Sequence, residues 1–289
     1  MSLSPRQVEF RKTGIGGSES AAILGIHPYL SAMELFARKV GLMDSSADSV
    51  RLRVGSALEP TVVDEYQRKT GLSVVRRAEA CEMLRHPEHP EALANLDGIG
   101  EAEISGKWQD VIFEAKTVGS RAWWLSWDNG KQVPLYIQCQ VQHYMWVTGY
   151  QAAELAALVD MSALHVFPIA RDDDFINNKL APAVLSFWRD NVQAKVPPIW
   201  DGSTSCYDAL KTMHPPKDAE GAIELPGLLD TMLEYQALGE QESVIKGRRK
   251  EIKNEALAKL GDAREADLGG GLLLKRTKAN ALQVKEIKA

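Results

Sequence analysis

Two short stretches separated by a hairpin-length gap, Leu96-Asp97-Gly98 and Val111-Ile112-Phe113-Glu114-Ala115-Lys116, constrain this chain more than any other feature. An Asp followed by an apolar run ending in Glu-x-Lys lets one sheet edge collect two carboxylates and an ammonium. Side chains alternate along a strand, so Glu114 and Lys116 share a face while Ala115 points away. Two carboxylates in contact repel unless protonated or bridged by a cation, and hard oxygen ligands with open positions suit Mg²⁺ or Mn²⁺. Lys116 beside such a cation is placed to hold or activate water, and the set equips a site for phosphodiester hydrolysis. Glu-x-Lys on a strand is also a common solvated face, so its company decides the reading.

That company comes in order. Arg11 and Gly14-Ile15-Gly16-Gly17-Ser18 stand first, then Gly55-Ser56-Ala57-Leu58-Glu59, then the Asp97 and Glu114 stretches. Gln140-Val141-Gln142-His143-Tyr144 follows, on a helix that starts after Pro134. Each piece alone is weak, but the ordered set over about residues 11–188 resembles the YqaJ-type viral recombinase nucleases, close to lambda exonuclease, within the PD-(D/E)xK superfamily.

The resemblance implies roles. Asp97, Glu114 and the Ala115 carbonyl hold the metal, with Glu59 as a third carboxylate acting directly or through water. Lys116, with Gln140, positions or deprotonates the attacking water, and Arg11 and Ser18 grip a DNA phosphate. The implied activity is a 5′ to 3′ exonuclease on double-stranded DNA ends that supplies single-stranded tails to an annealing recombinase. A homotrimeric ring around DNA is implied as well. Two other readings stay open from the residues. One is an endonuclease or structure-selective nuclease on the same core. The other is a DNA-binding assembly module whose hydrolysis is dispensable; against it, every acidic and basic position of the motif is filled.

The net charge of −5 does not exclude a polyanionic partner, because an acidic site and an acidic appendage coexist with a basic channel. Candidates for that channel are Arg11, Arg51, Arg53, Arg76, Arg77, Arg121 and Lys131. Three scattered cysteines offer neither a disulfide framework nor a Cys-ligated zinc or iron–sulfur site. No apolar run reaches membrane-spanning length and no signal-peptide pattern opens the chain, so the expected location is the cytoplasm of a bacterial host, as a phage or prophage protein.

Periodicity sketches the elements. The stretch 10–24 reads as a glycine-rich loop feeding a short helix with Ser18 or Glu19 as cap, a cradle for an anion that Glu19 complicates by its negative charge. Helices are expected at 31–41 and 52–69, the latter with Pro60 in its first turn or at a kink. Strands are expected at 72–77, 80–84, 92–98 and 109–116, where Asp110 is the one rival to Asp97. His86 and His89 fall in a proline-rich turn read as a solvated loop, and Trp123, Trp124 and Trp127 read as core. A helix at 134–149, a hairpin from 153–159 and 164–169, and a closing helix at 172–192 complete the core.

The expected fold class is α/β, a restriction-endonuclease-like core of mixed central sheet flanked by helices with a C-terminal, mainly helical appendage. The nuclease domain spans 1–196, a linker 197–225 and the extension 226–289, whose long helix covers 228–260.

Overall fold

The structure, a computed structural model, describes residues 5–44, 50–76, 81–104, 106–216, 223–277 and 281–286. Arg77, the first residue of the stretch expected as a strand at 80–84, and the side chain of Arg51 lie outside the described residues. The chain divides into two units, 1–216 and 217–289.

The first unit opens with α1 (Pro5–Lys12), β1 (Ile15–Gly16), α2 (Gly17–Ile23), α3 (Ala32–Lys39) and α4 (Val50–Thr70). Strands β2 (Leu84–Arg85), β3 (Ala92–Ala94), β4 (Gly98–Ile104) and β5 (Lys107–Val118) follow, then helices α5 (Ser120–Leu125) and α6 (Leu135–Thr148). Strands β6 (Ala152–Val159) and β7 (Ala163–Ala170) lead into α7, a continuous run of α and π turns over 173–193, and α8 (Thr204–Met213) closes the unit.

The central sheet has the order β4-β5-β6-β7, with β5 and β6 parallel and the outer pairs antiparallel. A parallel pair needs a crossover, and here the crossover carries α6 with the Gln140 run. On one face α4 lays Val62, Val63 and Tyr66 against Phe113, Ala115, Ala156 and Leu158. The alternate residue Ile112 faces the other side, in the cluster with Val141 and Met145 of α6. This is the expected mixed sheet flanked by helices. A second small sheet, β1-β3-β2, joins the N-terminal glycine stretch to the strands before Asp97.

Helix α6 is the centre of the core. It ends where Gly149 takes a left-handed φ of 81°, a conformation glycine adopts without strain. His143 on this helix is fully buried, and its Nε2–H donates to the Leu93 carbonyl of β3 at 3.1 Å. Burial pushes its pKa down to about 4.

Several expectations shift. Ser18 and Glu19 lie inside α2, whose cap is Gly16; the Glu19 carboxylate accepts the Gly16 N–H at 2.8 Å from within the first turn. Pro60 lies inside α4, past the first turn. The stretch at 72–76 makes a single antiparallel bridge, Val75 to Ile99, in place of a strand. Trp123 and Trp127 are core, but Trp124 is 63% exposed. His86 and His89 are not a free solvated loop, since their rings pack on Trp146 at centroid distances of 5.2 and 5.9 Å.

The stretch expected as a linker from 197 carries α8 instead. Ser203 caps it, Cys206 and Ala209 are buried, and Ser205 hydrogen-bonds Ser31 at the start of α3. The second unit holds α9 (Leu229–Leu260) and an antiparallel sheet of β8 (Glu265–Gly269), β9 (Leu272–Arg276) and β10 (Leu282–Glu286) with β9 central. The sequence marked the long helix, at 228–260, but not the three-stranded sheet. Among the described residues no helix is long and apolar enough to cross a membrane.

His143 makes stability depend on acid. It stays neutral in the fold down to about pH 4, whereas the unfolded chain takes up its proton near pH 6.5. Its contribution is present above pH 6.5 and is lost as pH falls toward 4, up to about 3 kcal/mol. Denaturant melts of wild type and His143→Gln should converge by that amount between the two pH values. A parallel pair of curves contradicts the assignment.

Candidate active site

Asp97 immediately precedes β4, and the β4–β5 register pairs Gly98 with Phe113. Carried one residue further, that register sets Asp97 opposite Glu114, and cross-strand partners present their side chains on one face. The Ala115 N–H donates to Asp97 Oδ2 at 2.8 Å. In a strand a residue's N–H and C=O leave on the same side, so the Ala115 carbonyl faces this edge too. Asp110, the rival, pairs with Glu101 far up the hairpin.

Glu114 is buried, its side chain 2% exposed. Its Oε1 accepts from Lys116 Nζ at 2.5 Å and from Gln140 Nε2 at 2.7 Å. Gln140 Nε2 also donates to the Tyr144 hydroxyl at 3.0 Å. Glu114 Oε2 is buried with no hydrogen-bond partner. Such an oxygen costs free energy unless something else satisfies it. Burial, and then the facing Asp97 carboxylate, raise the Glu114 pKa; burial likewise raises Asp97 despite Lys116. Burial works to lower Lys116, but the Glu114 and Asp97 carboxylates outweigh it and its pKa is raised.

Glu59 comes from α4, on the opposite face of the sheet, and so reaches the pair around the edge. Burial and the nearby Asp97 raise its pKa. Its carboxylate is turned to Arg76, at 3.4 Å. Among the described residues no three His, Cys, Asp or Glu side chains stand together as a finished metal site. The donor set nevertheless fits a hard divalent cation. It offers two facing carboxylates that repel, one orphaned carboxylate oxygen and a backbone carbonyl on the same edge.

Arg11 and Ser18 meet where α1 and α2 adjoin, with Arg11 Nη2 donating to Ser18 Oγ at 3.4 Å. This cradle lies against the helix that carries Gln140. Gly17 makes the approach possible, since a Cβ there would sit 2.5 Å from the Tyr144 ring and 2.9 Å from the Gln140 carbonyl. Tyr144 thus touches the cradle through its ring and Gln140 through its hydroxyl. Burial and then the Glu114 and Asp97 carboxylates raise its pKa.

The structure brings Glu114, Lys116 and Gln140 into direct contact, holds Asp97 beside them on the Ala115 N–H, sets Glu59 nearby facing Arg76, and sets Arg11 with Ser18 on the adjoining surface. Sequence reasoning did not single out Lys39, which donates to Glu19 Oε2 at 2.8 Å and to the Arg11 carbonyl at 2.6 Å. No local signal tied it to the cradle. Of the other basic candidates, Lys131 pairs with Asp128 at 3.6 Å.

Comparison with known proteins gives the fold and the family. The crystal structure of an alkaline exonuclease, LHK-Exo, from Laribacter hongkongensis shares the fold with a TM-score of 0.54 at 20% identity, covering 67% of this chain and 94% of that one. The same exonuclease in complex with dAMP gives 0.53, also at 20% identity and with the same coverage of both chains. The shared fold is the mixed central sheet flanked by helices. The uncharacterized protein YqaJ of Bacillus subtilis (strain 168) is 32% identical over 263 residues, 90% of this chain and 79% of that protein. The profile of the YqaJ-like viral recombinase domain matches residues 8–151, which run from α1 through the Gln140 helix. With the domain matched from cradle to helix and a relative alike over most of both lengths, this chain belongs to the YqaJ-like viral recombinase family.

Proposed function

We propose that the protein is a metal-dependent 5′ to 3′ exonuclease on double-stranded DNA ends. The observation that carries this reading is buried Glu114 facing part-buried Asp97, with Glu114 Oε2 unsatisfied and Lys116 and Gln140 both on Glu114 Oε1. Family membership and the shared exonuclease fold support it.

Asp97, Glu114 and the Ala115 carbonyl would hold Mg²⁺, or Mn²⁺, with Glu59 joining directly or through water once it leaves Arg76. When bound, the ion supplies Lewis-acid polarisation of the scissile phosphate and neutralises charge developing there. Lys116, its ammonium directed by Glu114, positions the attacking water, and only after giving up its own proton could its amine deprotonate that water. Gln140 fixes the Glu114 carboxylate and borders the same space. Arg11 and Ser18 hold a neighbouring or terminal phosphate, the guanidinium supplying charge-assisted donors.

The product in this reading is a duplex with single-stranded tails, the substrate of a single-strand annealing recombinase in the cytoplasm of a bacterial host. A homotrimer around DNA is the proposed assembly. The nuclease domain proposed from the sequence is extended here to take in α8, and the separate second unit, 217–289, adds a three-stranded sheet to the expected helix.

Linear duplex DNA labelled separately at each end, with Mg²⁺ and a closed circle alongside, tests the reading. Loss of the 5′ label as mononucleotide, an intact circle and an inert Glu114→Ala variant are expected. Cutting of the circle would replace the exonuclease with an endonuclease on the same core, and binding without any cutting would leave a non-catalytic module. Lys116→Ala should keep DNA affinity while cleavage drops roughly a hundredfold or more, since the ammonium acts on water. Cleavage at the wild-type rate removes Lys116 from that role. Arg11→Ala should slow turnover on 5′-phosphorylated ends about tenfold more than on 5′-hydroxyl ends; equal losses would argue against a terminal-phosphate contact.

A further inference from the structure

Glu19 poses a problem for an anion cradle. Its carboxylate follows Ser18 directly and faces the guanidinium meant for phosphate, with Arg11 Nη2 at 3.8 Å from Glu19 Oε1. Alone, the two would form a neutral pair. A negative charge beside the site would repel the ligand, and the same charge would draw Arg11 toward itself.

Lys39 changes that balance. It comes from the last turn of α3, and its side chain is 5% exposed. Its ammonium donates to Glu19 Oε2 at 2.8 Å and to the Arg11 carbonyl at 2.6 Å. Glu19 Oε2 also takes the Gly16 N–H at 2.8 Å, which pins the carboxylate to the start of α2. One buried ammonium therefore holds the backbone of Arg11 and occupies the carboxylate that competes for its guanidinium. The charges of the cluster are Arg11 and Lys39 against Glu19, which leaves one net positive charge. The more exposed partner is Arg11, at 37% for its side chain, so that charge is presented outward.

We infer that Lys39 is a positioning residue for the Arg11–Ser18 phosphate cradle, neutralising Glu19 so that Arg11 remains available to a terminal phosphate. This rests on the reading of Arg11 and Ser18 given above. A purely structural role has a definite alternative form: Lys39 would only satisfy the last carbonyls of α1 and stabilise the join of α1 to α3. The two differ in what happens when Glu19 is neutralised together with Lys39. For phosphate binding, removing both charges restores Arg11. For a structural brace, removing both is no better than removing one.

The test is binding of a short duplex by the full chain without divalent metal, read by fluorescence anisotropy, comparing 5′-phosphorylated with 5′-hydroxyl ends. Wild type should prefer the phosphorylated end. Lys39→Met should lower that preference about tenfold, and the double variant Lys39→Met with Glu19→Gln should regain it. If Lys39→Met fails to fold, Lys39→Gln, which keeps a donor to the Arg11 carbonyl while removing the charge, carries the same expectation. A preference that survives loss of the Lys39 charge, or a double variant no better than the single one, overturns the inference alone. Equal wild-type binding to both ends overturns the cradle and this inference with it, while the cleavage assay of Glu114 still stands or fails on its own.

Discussion

Everything in the first unit bears on one unfavourable juxtaposition, a buried and a part-buried carboxylate facing each other at a sheet edge. Ionised together they repel, and burial raises the cost of either charge. The Ala115 N–H on Asp97, and the Lys116 ammonium with the Gln140 amide on Glu114, offset part of that cost. One Glu114 oxygen is left over. The edge exists because β5 runs on to Val118 while β4 pairs only as far as Phe113. Beyond that point β5 is bonded to β6 alone. The missing pairing leaves the Ala115 backbone open at the edge, beside the face that the Glu114 and Lys116 side chains share.

Helix α6 ties this edge to the rest of the unit. Gln140 and Tyr144 lie a turn apart and face the carboxylates, while His143 points into the core and bonds β3. Gly17 then lets α2 press onto the same helix with no side chain between. The Arg11–Ser18 cradle is thereby held at a fixed distance from Glu114 by packing as well as by hydrogen bonds. A displacement of α6 would disturb both.

Charge is arranged locally and against the average. The chain carries a net −5, yet the Arg11, Glu19 and Lys39 cluster holds a surplus positive charge, and Arg76 stands beside Glu59. Glu59 is the one carboxylate of the set that reaches from the other face of the sheet. Asp97 repels it and Arg76 pairs with it.

How much was readable in advance follows the range of the interactions. The alternation of β5 places Glu114 and Lys116 on one face, and the Leu-Asp-Gly context picks Asp97 over Asp110. The 3.6-residue spacing marks α4 and α6 within two residues of their ends. The fold class follows from that order of strands and helices. Other features depend on partners distant in sequence. Lys39 bonds an Arg11 carbonyl 28 residues away, and Ser205 of α8 bonds Ser31 at a separation of 174. The same holds for the turn of Glu59 to Arg76 and for the burial of Trp123 and Trp127 with Trp124 left outside. Periodicity encodes which face a side chain takes along its own element. Which ammonium neutralises Glu19, and which oxygen of Glu114 goes unsatisfied, are set by how separate elements close on one another.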